Sequence, residues 1–155
     1  MMKPIQISIH AVTDTSPEEI CAALLNTERW SEFEGYSILP GIQQAEFETR
    51  TSNEIGSKIK VQNRDGSSHV EEIIEWDPKQ KIVLRFQDFS PPLRYFAKNF
   101  YEVWEFTRTD TATEVTRSMS MHPKNLLGWL LLLPISRLMK KSFEKNIISS
   151  SHSKQ

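Results

Sequence analysis

Three charged side chains fall within stretches that otherwise alternate aromatic, methionine or aliphatic residues with polar ones: Glu72, Glu102 and Arg117. Carboxylates and a guanidinium on an apolar surface can move protons during a reaction, or they can orient a polar group of a bound ligand. The same side chains can instead form a structural ion pair, because a buried charge without a partner is strongly destabilising. Both interpretations remain open from the sequence.

The chain carries no recognisable catalytic or metal-binding motif. Its histidines, His10, His69, His122 and His152, are scattered without metal-ligand spacing, and no P-loop, GxGxxG or GxSxG occurs. We expect His10 and His69 on the solvent face of a sheet, and the lone Cys21 as a small buried residue of a helix. The sequence therefore predicts neither a metal site nor a cofactor.

Two strands late in the chain position the charged residues. Phe100, Trp104 and Phe106 share one parity, and Thr109 to Ala112 (TDTA) supply a turn before the next strand. If residue 109 faces residue 112 across that turn, Trp104 lies opposite Arg117. Glu102 then lies on the diagonal from Arg117, on the same face.

The remaining elements follow from hydrophobic periodicity and turn residues. A strand is predicted at 5–11, a helix from SPEEI with Ser16 as its N-cap, and a short helical piece at 28–33. Further strands are predicted at 43–50, 57–63, 69–76, 81–88, 100–108 and 113–121, with a proline-containing loop at 89–99 and a final helix within 125–149. This order is typical of an α+β domain with an antiparallel sheet.

Several stretches carry a resemblance to a known family: NTERWSEFEGYSILPGI, GSKIKV, VEEIIEWDPKQKIVLRF, and YEVWEFTRTDTATEVTRSMSM before the long helix. Over about residues 5–148 the chain resembles the polyketide cyclase/dehydrase and lipid-transport superfamily, also called START-like or SRPBCC. The resemblance implies a helix-grip fold, in which a curved antiparallel sheet of about seven strands wraps a long C-terminal helix. It also implies two short helices between strands 1 and 2, and a hydrophobic cavity between the sheet and the C-terminal helix.

The resemblance also implies a function, the binding or transport of a hydrophobic small molecule or lipid-like ligand. A cyclase or dehydratase-like enzyme and a protein-interaction module that uses an apolar helix surface are the alternatives, and we expect no enzyme activity. Charge is balanced, with 19 Lys+Arg and 20 Asp+Glu, so nucleic acid is not an expected partner.

The expected cavity is lined by inward strand positions, by aromatic residues of the early helical segment and by residues of the final helix, and the 89–99 loop is expected to act as its gate. The residues are Trp30, Phe33, Glu72, Ile74, Leu84, Phe86, Phe89, Tyr95, Phe96, Glu102, Trp104, Arg117, Met119, Leu131, Ile135 and Met139.

The final helix has an unusual first half. Residues 126–135 are uncharged but are too few to span a bilayer, which takes about 20 apolar residues. A helical projection centred on Ile135 makes the second half amphipathic and leaves Leu126, Trp129, Leu130 and Leu133 facing outward. Pro134 predicts a kink or a restart. The outward leucines and Trp129 are expected to cover the cavity mouth, to form a homodimer interface or to make peripheral membrane contact.

The chain fits one domain, predicted at 1–148, and a Ser-rich tail at 149–155 is predicted to be mobile. Its first residues, MMKPIQISIH, alternate polar with apolar side chains and do not resemble a signal peptide. With one cysteine, no internal disulfide can form, which suits a reducing compartment. We therefore expect a cytoplasmic location.

Overall fold

The computed structural model describes residues 2–152, with side chains through residue 146. Its strands and α-helices are, in chain order, β1 (Ile5–Thr13), α1 (Pro17–Leu25), β2 (Gly35–Tyr36), β3 (Leu39–Pro40), β4 (Ile42–Thr49), β5 (Lys58–Asn63), β6 (Ser68–Asp77), β7 (Lys81–Gln87), β8 (Ala97–Arg108), β9 (Thr113–Pro123) and α2 (Leu126–His152). Two 3₁₀ helices, Thr27–Glu32 and Leu93–Tyr95, complete the list.

Seven strands form one antiparallel sheet in the order β1-β9-β8-β7-β6-β5-β4. Strands β2 and β3 form a separate hairpin. The long helix α2 packs against one face of the sheet, which we call the inner face. This architecture confirms the predicted α+β helix-grip fold.

The first helix begins as its residues predict. The Ser16 side chain accepts a hydrogen bond from the Glu19 backbone N–H (3.2 Å), and Pro17 occupies the first turn, where a missing N–H costs nothing. Cys21 is buried, as expected of a core residue, and burial raises the pKa of its thiol to about 12, with smaller contributions from Glu18 and Asp77. A thiol with so high a pKa is a poor nucleophile.

Three apolar clusters form the interior on the inner face. The largest lies under α2 and includes Phe89, Phe100, Met119, Met121, Leu132 and Phe143. A second lies under α1 and includes Cys21, Ile73, Ile82, Leu84, Trp104, Phe106 and Val115. The third packs Trp30 of the first 3₁₀ helix against Ala45, Ile59 and Val61. Each cluster covers one part of the inner face.

Strand β6 contains a bulge that changes which of its residues face inward. Ile73 pairs with Leu84, but Glu75 pairs with the next residue of β7, so Ile74 is an extra residue in β6. Before the bulge the inward positions are therefore odd-numbered, and after it Trp76 faces inward. The predicted inward orientation of Glu72 is wrong, because Glu72 lies on the outer face, and Ile74 lies in the bulge itself.

Helix α2 runs without interruption through Pro134, so the predicted restart does not occur. Among the side chains of α2 that the structure describes, through residue 146, the buried ones are Leu132, Ser136, Ser142 and Phe143, and Gly128 is buried as well. The helix therefore faces the sheet about Leu132 and Ser136 rather than Ile135. Leu131, predicted inward, is 40% exposed.

The outward surface of α2 also differs from the prediction. Trp129 and Leu133 are partly buried against the cluster under α2, because the true inward direction lies closer to them. Leu126 and Leu130 are exposed as predicted, and Leu127 joins them at 55% exposure. Among the described residues, no helix is long and apolar enough to cross a membrane. Helix α2 extends into the predicted tail 149–155, whose residues 153–155 lie outside the described part.

Candidate functional site

The inner face brings four polar side chains together beneath α2. Glu102 of β8 and Arg117 of β9 are placed by the hairpin register, in which Trp104 lies opposite Arg117 and Glu102 opposite Met119. This register is the predicted one, because the turn pairs Thr109 with Ala112. Glu71 and His69 belong to β6, two strands away.

Glu102 and Arg117 form a close ion pair. The Arg117 Nη2 lies 2.6 Å from Glu102 Oε2, and Nε donates to the same oxygen at 2.8 Å. Glu102 is 3% exposed, so its negative charge relies on Arg117 rather than on water. Glu102 and Arg117 are therefore paired, which the structural and the ligand-orienting interpretations both allow.

Two aromatic rings enclose the guanidinium of Arg117. Its Cζ lies 4.4 Å from the centroid of the Trp104 ring and 3.7 Å from that of Phe143 on α2. Such cation–π contacts are worth about 2 kcal/mol or more when they are shielded from water. Through Phe143, the ion pair on the sheet is in direct contact with the gripped helix.

Glu71 and His69 make a second polar contact on this face. His69 Nε2 lies 2.9 Å from Glu71 Oε2, and the Glu71 side chain is almost fully buried. Burial raises the pKa of Glu71, and the hydrogen bond to His69 opposes part of that rise; the charges of Glu102 and Arg117 act more weakly. A buried carboxyl hydrogen-bonded to an imidazole is a pair of groups between which a proton can move.

Aromatic rings surround His69 and continue toward α2. The imidazole of His69 stacks on the ring of Phe86 with centroids 5.1 Å apart, and Phe89 lies at 6.2 Å. Phe89 in turn contacts Phe100 at 4.8 Å. The polar groups therefore lie in an environment that is otherwise apolar.

One hydrogen-bond donor of this region has no protein partner. Trp104 is 8% exposed, and its Nε1 is buried without a hydrogen-bond partner in the protein. Leaving a buried donor unpaired costs about 1–3 kcal/mol. An acceptor atom on a bound molecule would satisfy it.

The residues predicted from sequence to line a cavity fall into three sets, apart from Ile74, which lies in the β6 bulge. On the inner face or packed against its clusters are Trp30, Leu84, Phe86, Phe89, Glu102, Trp104, Arg117, Met119, Ile135 and Met139. Phe33 and Phe96 are half-buried, at the end of the first 3₁₀ helix and just after the second. Tyr95, at 54% exposure, and Leu131 point to solvent, and Glu72 lies on the outer face.

Three side chains of the site were not predicted. Glu71 was missed because of the bulge, and His69 was expected on the solvent face for the same reason. Phe143 was missed because the predicted inward direction of α2 was rotated from the true one. Phe143 lies seven residues after Ser136, so a helix phased on the small residues Gly128 and Ser136 would have placed it inward.

The described residues contain no group of three or more His, Cys, Asp or Glu side chains that could hold a metal ion.

Two open cavities on the surface of the protein lie away from the ion pair of Glu102 and Arg117. The larger, about 390 Å³, is bounded by Thr27, Glu28 and Ser31 on one side and by β4 on the other. Around Arg117, the space between sheet and helix is occupied by aromatic side chains.

Residues 4–147 match the family model described as polyketide cyclase / dehydrase and lipid transport. No curated protein sequence matches the chain. Similar solved structures include TTHA0849 from Thermus thermophilus, with a TM-score of 0.66, 14% identity, and coverage of 90% of each chain. Ara h 8.0201 gives a TM-score of 0.63 at 14% identity and covers 94% of this chain and 99% of its own. The Zhui aromatase/cyclase from Streptomyces sp. R1128 gives 0.60 at 9% identity, covering 79% of this chain and 70% of its own.

Proposed function

The chain belongs to the polyketide cyclase/dehydrase and lipid transport family, and we propose on that premise that it binds a hydrophobic, lipid-like small molecule between the inner face and α2. The observation that carries the proposal is the buried polar cluster of Glu71, His69, Glu102 and Arg117 among aromatic rings. Sites for small molecules are largely apolar with a few convergent polar groups that fix orientation. The inner face has this composition.

The free hydrogen-bonding capacity of the cluster suggests the polar end of the ligand. Trp104 Nε1 is a donor without a partner, and the Arg117 side chain carries more N–H groups than Glu102 engages. Both favour an oxygen acceptor such as a carbonyl, a hydroxyl or a carboxylate. The ligand we propose is an apolar body with one such oxygen directed at Trp104.

Binding requires side chains of the interior to move, because Phe143 covers Arg117. Met119 and Met139 line the same space from β9 and α2. Methionine is unbranched and adapts to cavities of different shape. We propose that these methionines and the Phe143 ring change rotamer when the ligand enters.

Native mass spectrometry of protein purified without denaturants tests the proposal directly, together with titration of a hydrophobic fluorescent probe. We expect a bound small molecule or saturable probe binding. Trp104→Phe removes the free donor but keeps an aromatic ring, and it should weaken retention of an oxygen-bearing ligand about tenfold or more. Absence of both a co-purifying molecule and probe binding would contradict the proposal.

A matched control comes from the outer face. Arg85 and Glu72 form an ion pair there at 3.0 Å, of the same chemistry as Arg117 and Glu102. Glu72→Gln should leave probe affinity unchanged, whereas Glu102→Gln should lower it. Equal affinities in these two variants would show that the probe binds elsewhere.

The His69–Glu71 contact favours one second function, that of a cyclase or dehydratase-like enzyme. Such reactions need a group that takes a proton from one carbon or oxygen and returns it to another, and a buried carboxyl hydrogen-bonded to an imidazole can do so. Given a poly-ketone substrate, Glu71→Gln should lower turnover about 10²–10⁴-fold without loss of binding. Unchanged turnover would remove Glu71 as an acid–base group.

A further inference from the structure

The start of α2 presents apolar side chains to solvent without a partner. Leu126, Leu127, Leu130 and Leu131 are 64%, 55%, 52% and 40% exposed. Their spacing places them on one stripe of the helix, and Pro134 in the next turn is also exposed. Four adjoining exposed leucines are more than scattered surface residues and mark an interaction surface.

Positively charged residues flank the exposed leucines on both sides in the sequence. Lys124 precedes the leucines, and Arg137, Lys140 and Lys141 follow them; all four are exposed. The segment that contacts the start of α2 adds the exposed Arg94. The apolar stripe is therefore bordered by positive charge at both ends.

Acidic residues are scarce beside the stripe: between residues 115 and 146 the sequence has one, Glu144, which is exposed four residues after Lys140. Residues 89–101 and 115–143 contain 7 of the 19 Lys and Arg residues and none of the 20 Asp and Glu residues. Since the whole chain has a net charge of −1, these two segments carry +7 and the remainder carries −8. Arg117 is paired with Glu102 in the interior, so the exposed cations beside the stripe are Arg94, Lys124, Arg137, Lys140 and Lys141.

Hydrogen bonds and close packing hold the start of α2 against the second 3₁₀ helix. The Asn125 side chain accepts a hydrogen bond from the Gly128 N–H (2.7 Å) and donates to the Tyr95 carbonyl (3.3 Å), so it caps α2 and holds the second 3₁₀ helix. A Cβ on Gly128 would come within 2.2 Å of the Phe96 carbonyl oxygen, so only glycine allows this approach. The leucines thus project from a preformed platform together with the exposed Tyr95.

We propose that this end of the protein docks on the surface of a lipid bilayer that contains anionic lipids. The four leucines enter the interface between headgroups and acyl chains, and the bordering cations lie near the headgroups. An amphipathic helix with apolar and basic residues binds membranes in this way.

The charge distribution distinguishes this occupant from a second copy of the chain. In a symmetric dimer the same patch meets itself, so its five exposed cations would face one another, with Glu144 the one acidic residue that 115–146 contains. An anionic bilayer supplies the missing negative charge.

Flotation of the full chain with vesicles tests the proposal. We expect binding to vesicles of phosphatidylcholine and phosphatidylglycerol in equal parts, little binding to phosphatidylcholine alone, and release by high salt. Leu127→Ser/Leu131→Ser should weaken binding about tenfold or more. Lys140→Gln/Lys141→Gln should weaken binding and reduce its dependence on salt.

Matched variants elsewhere on the surface provide the control. Val12 and Ile38 are 59% and 77% exposed but lie outside the two acid-free segments, so Val12→Ser/Ile38→Ser should float like the wild type. No flotation with the mixed vesicles, or equal flotation of the leucine variant, would overturn the proposal. So would a dimer in solution that the leucine substitutions dissociate while the wild type fails to float.

Discussion

Two arginine–glutamate pairs lie on opposite faces of the same sheet. On the outer face, Arg85 and Glu72 are direct cross-strand neighbours, 3.0 Å apart, with side chains 32% and 19% exposed. On the inner face, Arg117 and Glu102 are diagonal neighbours, 2.6 Å apart, with side chains 18% and 3% exposed. The groups and distances are similar, so the difference between the pairs lies in what surrounds them.

Water and polar neighbours support the outer pair. Gln87 Nε2 donates to Glu72 Oε1 at 3.1 Å, and Arg85 Nε donates to Gln87 Oε1 at 2.7 Å. The inner pair has Trp104 and Phe143 around the guanidinium. Removal of one partner is therefore compensated outside and is not compensated inside. The outer pair is partly exposed to solvent, and the inner pair is buried and contacts Phe143 of α2.

Substitution of the two arginines gives the largest expected contrast. Arg117→Met leaves the Glu102 carboxylate buried and unpaired, and it should lower the free energy of unfolding by about 3–5 kcal/mol. Arg85→Met breaks a partly exposed pair whose carboxylate keeps its hydrogen bond from Gln87, so it should cost less, about 1 kcal/mol. Urea denaturation at neutral pH measures both. Similar losses in the two variants would show that the faces do not differ as proposed.

Replacement of both members of a pair sharpens the contrast. Glu102→Leu/Arg117→Met removes both charges together, so most of the stability lost in Arg117→Met should return, to within about 1–2 kcal/mol of the wild type. The coupling between the two inner substitutions should exceed that between Glu72→Leu and Arg85→Met. A double-mutant cycle on each face measures it. Additive losses on the inner face would contradict the ion pair as its source.

The pH dependence of stability should depend on Glu71. Burial raises the pKa of this carboxyl in the folded state, so the folded protein binds the proton more tightly than the unfolded chain. Stability from this group is complete below the ordinary glutamate pKa and is lost as pH rises through the raised pKa. Glu71→Gln should therefore gain stability over the wild type as pH rises. Parallel pH profiles for the two proteins would contradict this prediction.

His122 on the outer face should give a smaller effect of opposite sign. Its ring contacts Tyr101 edge-on at 5.6 Å, and desolvation, with a smaller contribution from Lys98, lowers its pKa. The unfolded chain then binds the proton more tightly, so this group destabilises at low pH and the loss disappears as pH rises past the ordinary histidine pKa. His122→Gln should therefore flatten the profile below that pH. Thermal melts across the range measure it.

Sequence reasoning placed one half of the site and missed the other for a physical reason. Strands β8 and β9 alternate regularly and are joined by a tight turn, so the pairing of Trp104 with Arg117 followed from counting. Strand β6 contains an extra residue that its run of Val, Glu and Ile residues does not reveal, because apolar side chains occur there at both parities. Counting from Trp76 therefore selected Glu72 in place of Glu71.

The side of α2 that faces the sheet was predicted with a rotational error, for a related reason. Residues 126–133 are almost all leucine, so no polar side chain marks the solvent side of the first two turns. The true direction is set by close packing, with Gly128 against the Phe96 carbonyl and with Ser136 and Ser142 buried. Small residues rather than large apolar ones indicated the inward side.

The extra residue in β6 also affects how this chain is aligned with its relatives. The three similar structures named above share only 9–14% of its sequence, and an alignment at that level places gaps with little guidance from residue identity. A one-residue gap before or after Glu71 decides whether Glu71 or Glu72 shares a column with an inward residue of a relative that lacks the bulge. Residues of β6 should therefore be compared with those of a relative by the face of the sheet on which they lie, and not by their position in a sequence alignment.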